Sequence, residues 1–121
     1  MAPEGALRAG LTREQARSLW LHAAVAAMLV EDPDRVMATA RANLDRLDGQ
    51  HHGAVSRSWL DQWRRVLDDG APALLAVLRG TTERDADLRQ NSPFAGVLSQ
   101  TERRTQLEAF TRDWAVQCDR E

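Results

Sequence analysis

The side chains that could do chemistry are few and scattered. His22, His51 and His52 are the histidines and Cys118 is the single cysteine. Adjacent histidines on a polar connection cannot both turn to one ion without a further ligand three or four residues on. Neither Cys118 nor a carboxylate pair supplies one at a spacing that recurs in zinc sites. Glu83, Asp85 and Asp87 carry the charge of a calcium loop, but the glycine of its sharp turn is missing and Arg89 falls where an oxygen ligand belongs. Acid pairs such as Asp68-Asp69 sit beside Gly70 at a helix end, without the apolar pocket or close like charge that would make a carboxyl a useful acid. The chain has no glycine-rich phosphate loop, no His-Glu-x-x-His and no Gly-x-Ser-x-Gly elbow. The expectation is a protein with no metal, no cofactor and no catalysis of its own.

Charge removes a further class. All sixteen basic residues are Arg, against eighteen acidic ones, for a formal net charge of −2, so nothing in the balance draws the chain to a phosphate backbone. Ala76 and Gly80 have the spacing of a helix-turn-helix, which would make Arg84, Arg89, Gln90 and Asn91 base readers. Arg79, Thr81 and Arg89 stand where such helices bury apolar side chains, so a plain helix hairpin is expected, with no direct nucleic-acid binding by the chain alone. A lone cysteine suits a reducing cytosol, and the absence of Lys, Tyr and Ile beside abundant Ala, Arg, Leu and Asp is the usage of a GC-rich coding sequence.

The elements that must position these residues read as helices throughout, because strand-preferring residues are scarce and strong helix formers abound. Residues 1–10 read as a flexible leader, and 11–121 as a single domain. Thr12-Arg13-Glu14-Gln15 fits a capping box and starts a helix that runs to about Val30. Asp32-Pro33-Asp34 starts a second, which ends at Gly49. Trp59, Leu60, Trp63, Val66 and Leu67 share one face of a third, closed by Gly70. Pro72 opens a short fourth ending near Gly80. Residues 81–91 are helix-compatible, with only Ala86 and Leu88 to bury. Ser92-Pro93-Phe94-Ala95-Gly96-Val97-Leu98 is irregular with apolar anchors, and Ser99-Gln100-Thr101-Glu102 is a second capping box that opens a last helix. The fold expected is all-α, a compact bundle of five or six helices. Its one core would draw on Leu19, Ala23, Ala27, Leu44, Trp63, Leu75, Leu107, Phe110 and Trp114.

The stretch LWLHAAVAAMLV at residues 19–30 holds one polar residue, His22. It is too short for a membrane span, and its flanking acids argue against a signal peptide. It reads as the central helix, apolar around so much of its circumference that part of it, including Trp20 and His22, faces another protein.

Several runs carry a family likeness: Ser18-Leu19-Trp20-Leu21-His22, Asp32-Pro33, Ala40-Arg41-Ala42-Asn43-Leu44, Trp59-Leu60-Asp61-Gln62-Trp63, and Leu88-Arg89-Gln90-Asn91-Ser92-Pro93-Phe94-Ala95-Gly96-Val97-Leu98-Ser99 followed by Glu102-Arg103-Arg104 and Phe110. They resemble small helical antitoxins of high-GC bacteria encoded beside nucleotidyltransferase-like toxin genes, a likeness that covers about residues 19–114. The resemblance implies a cytoplasmic partner, a toxin that transfers nucleotides onto tRNA acceptor ends, and neutralisation by stoichiometric masking. A related pattern follows helix-turn-helix domains in longer regulators, so an effector or dimerisation module of a transcription regulator is the alternative. Within the run, Pro93 ends the preceding helix and leaves Arg89, Gln90 and Asn91 on a polar shoulder. These three are the expected partner contacts, while Phe94 docks internally.

Overall fold

A computed structural model describes residues 10–50 and 53–120, so His51, His52 and residues 1–9 of the expected leader lie outside the described residues. Within these bounds the chain is all-α. Its six helices are α1 (Arg13–Glu31), α2 (Pro33–Asp48), α3 (Ala54–Asp68), α4 (Ala71–Arg79), α5 (Glu83–Gln90) and α6 (Gln100–Arg120), and no strand occurs among the described residues.

The helix starts follow local chemistry. Thr12 Oγ1 accepts from the Gln15 amide at 3.1 Å while Gln15 Oε1 accepts from the Thr12 amide at 3.0 Å, which satisfies two otherwise orphaned donors. Ser99 and Glu102 repeat the arrangement ahead of α6, with bonds of 3.0 and 2.8 Å. Asp32 Oδ1 accepts from the Arg35 amide and Pro33 fills the first turn of α2. Gly70 holds φ +99° between α3 and α4, a left-handed conformation that favours glycine.

The central position of α1 follows from its composition: it packs against α2, α4, α5 and α6, while α3 closes the far side against α2 and α4. The main core joins Val25, Ala26 and Leu29 of α1 to Leu44, Trp63, Leu74 and Leu78, with Phe94 and Val97 entering from the irregular segment. A second, separate cluster joins Ala16 and Trp20 of α1 to Phe110 of α6, flanked by Leu11, Ala109 and Trp114. The single core expected from the sequence is thus divided. Leu19, Leu44, Trp63 and Phe110 are buried as expected, Ala23, Leu75, Leu107 and Trp114 are half-buried, and Ala27 is exposed.

The two long helices run antiparallel, with Trp20 beside Gln106 and Phe110 and the end of α1 near Thr101 and Thr105. In the second cluster the Trp20 and Phe110 rings meet edge to face at 5.8 Å, and the Arg13 guanidinium lies 5.4 Å above the Phe110 ring. No helix among the described residues is long and apolar enough to cross a membrane.

Candidate partner-binding surface

Residues 91–99, between α5 and α6, form the longest non-helical stretch among the described residues inside the bundle. Pro93 cannot continue α5, and Asn91 closes that helix with its side chain donating to the Asp87 carbonyl at 3.1 Å. Irregular backbone of this kind needs partners for its polar groups, and here helices distant in sequence supply them. Asn43 of α2 donates through Nδ2 to the carbonyls of Pro93 and Ala95 at 2.8 and 2.9 Å. Arg35 donates through Nη2 to the Val97 carbonyl at 3.1 Å.

The fourth tether comes from α1. His22 Nδ1 lies 2.6 Å from the Ser18 carbonyl, which can only accept, so the proton sits on Nδ1. Nε2 is then an acceptor, and Ser92 Oγ donates to it at 2.8 Å while accepting from the Phe94 amide at 3.3 Å. Burial pushes the imidazole down to about 4. The bond to Ser18 opposes that shift, and the charge of Arg89 adds to it. A base so weak leaves the Ser92 hydroxyl unactivated near neutral pH, and the pair serves as a brace. Phe94 is clasped edge to face between His22 at 5.9 Å and Trp63 at 5.3 Å, and Trp63 in turn donates to the Leu88 carbonyl at 3.1 Å.

Arg89 corrects the sequence reading most sharply. It was expected on an exposed shoulder and in a place that an arginine would refuse to bury, yet it is 2% exposed. Its Nη1 donates to the carbonyls of Val77 and Gly80 at 2.8 and 2.7 Å, satisfying the end of α4. Nε and Nη2 have no hydrogen-bond partner among the described residues. Burial lowers the guanidinium from its usual value and Asp85 partly restores it. Gly80 permits the close turn that brings α5 under α4, since a β-carbon there would meet the Ala76 carbonyl at 2.7 Å.

The other expected contacts are not gathered into one patch. Gln90 and Asn91 are exposed, on the rim of a depression of about 250 Å³ that also takes in Trp59 and Leu60. Trp20 is buried under α6 with its indole N–H donated to Gln106 at 3.0 Å, and His22 is buried in the brace. On the other side of the segment lies a depression of about 270 Å³, with buried Val25 and Phe94, half-buried Leu21 and Leu98, exposed Ala95 and Gly96, and Arg103. Ser92 borders both. Sequence reasoning missed the tethers Arg35, Asn43 and Ser92. The spacing of Ser18 and His22, four apart on one helix, was the one local signal available for the brace.

Among the described residues no group of His, Cys, Asp and Glu is placed to hold a metal ion. Comparison with protein-family models, curated proteins and solved structures gave no match.

Proposed function

We propose that this chain is a cytoplasmic antitoxin that neutralises a nucleotidyltransferase-like toxin by binding it stoichiometrically. The observation that supports this reading is the tethering of residues 91–99, the run on which the family resemblance chiefly rests. Four side-chain bonds from α1 and α2 fix irregular backbone while Gln90, Asn91, Ala95 and Gly96 remain exposed. A surface already ordered in the free protein loses little conformational freedom on binding, which favours tight association. The absence of a phosphate-binding loop in the sequence fits masking better than enzymatic modification of a toxin.

The test is co-expression with the product of the adjacent gene, expected to be a nucleotidyltransferase, followed by titration of its nucleotide transfer to tRNA. A stable complex is expected, with inhibition linear in added chain up to a fixed molar ratio. Loss of toxin activity at far below that ratio would replace masking with modification. Failure to bind the toxin, together with capture of a neighbouring helix-turn-helix protein, would move the chain to the regulator-module alternative. Replacing Gln90 and Asn91 by Ala probes the surface without touching the buried Arg89. It is expected to weaken neutralisation while lowering stability by no more than about 1 kcal/mol, the loss of the Asn91 bond to the Asp87 carbonyl.

A further inference from the structure

The depression between α1, residues 92–98 and the start of α6 combines an apolar floor with a cation unpaired among the described residues. Val25 and Phe94 are buried beneath it and Leu21 and Leu98 are half-exposed to it. Among the described residues no carboxylate borders it. Arg103 stands at its edge and enters no ion pair among the described residues. The neighbouring Glu102 is committed to the Ser99 amide, and the charge that reaches it is that of Arg35. Ala95 and Gly96 also border the depression, and their backbone N–H groups make no hydrogen bond among the described residues. At about 270 Å³ the space lies at the lower edge of the range of small-ligand sites. It has the scale of a side chain delivered by another protein.

We infer that this depression is the docking site for a segment of the partner protein in which an apolar side chain is flanked by carboxylates. The apolar side chain covers Leu21, Phe94 and Leu98. A neighbouring Asp or Glu pairs with Arg103, in the two-pronged geometry that guanidinium and carboxylate favour, with the amides of Ala95 or Gly96 as further donors. Charge complementarity decides the occupant: one arginine beside an apolar floor offers no track for successive phosphates, so an acidic protein segment fits where a nucleic acid does not. The inference rests on the antitoxin reading for the identity of the partner and on the geometry alone for the chemistry of the segment.

Two measurements separate these dependencies. In the first, the isotope-labelled chain is titrated by NMR with the blocked peptide Ala-Glu-Leu-Asp-Ala at millimolar concentration. Amide shifts are expected at Leu21, Ala95, Gly96, Leu98 and Arg103. They should be lost with Ala-Lys-Leu-Lys-Ala, with Ala-Glu-Ser-Asp-Ala, and in the Arg103→Glu variant. No shift at these residues, or equal shifts with the lysine peptide, overturns the inference whatever the toxin does. Equal shifts with a short single-stranded RNA would overturn it in favour of nucleic acid. In the second, toxin affinity is compared for wild type and Arg103→Glu, with a melting curve to show an intact fold. A loss of about tenfold or more is expected. Equal affinity removes the depression from the interface and leaves the antitoxin reading standing. Peptide shifts as expected beside no toxin binding by the wild type would retain the site and discard that reading.

Discussion

His22 and Arg89 show how much a single side chain contributes once it is inside. The imidazole is held neutral at about 4 chiefly by burial, whereas an unfolded chain takes up the proton near 6.5. The unfolded state therefore binds more protons between these values. The stability contribution is complete above about pH 6.5 and is lost as pH falls toward 4. At about 1.4 kcal/mol per pKa unit the loss is on the order of 3 kcal/mol. Urea unfolding at pH 7, 5.5 and 4.5 should show wild type losing its advantage over His22→Asn across that interval. A pH-independent difference would mean that the histidine does not titrate on unfolding. Arg89 makes a different prediction, because two of its nitrogens are buried without partners among the described residues. An unbranched apolar chain recovers the packing and avoids burying the charge but, like alanine, leaves the Val77 and Gly80 carbonyls without donors, so Arg89→Met should cost about 1–2 kcal/mol. Arg89→Ala leaves a cavity and two carbonyls without donors, and should cost about 2–4 kcal/mol. Melting curves of the two variants decide the point.

At the scale of elements, the helices are held in place by local signals and the segment between α5 and α6 by remote ones. Asn43→Ala removes the donor to the Pro93 and Ala95 carbonyls and should lower stability by about 1–2 kcal/mol. Its mark should be local: the Phe94 and Val97 amides should exchange about tenfold faster with solvent while those of α3 are unchanged. The same contrast explains what the sequence made legible. Both capping boxes could be read because donor and acceptor lie three residues apart and each uses a characteristic pair of side chains. The face of α3 could be read because Leu60, Trp63, Val66 and Leu67 keep helical period and are all buried. Arg89 was misplaced because its acceptors are the main-chain carbonyls of Val77 and Gly80, which have no residue-type signature. The brace between His22 and Ser92 joins residues 70 apart, and nothing in either neighbourhood names the other.

For the molecule as a whole, the division of the interior into two clusters matters most. Since α6 packs mainly on α1 through the Trp20 and Phe110 cluster, it should open as a unit of its own. Phe110→Ala should strip protection from α6 amides in native-state hydrogen exchange and leave Trp63 and its neighbours in α3 protected; equal loss in all helices would show one cooperative body instead. The tethers of residues 91–99 carry a further consequence. They start from His22, Arg35 and Asn43, between 50 and 70 positions earlier in the chain. Closing loops of that length is opposed by chain entropy until the helices around them have assembled. A ribosome that has released α1 and α2 has produced the clasps and nothing for them to hold. A chain nicked within α2 keeps the segment and loses what shapes it. The shape of residues 91–99 is therefore a property of finished molecules, withheld from nascent and damaged ones.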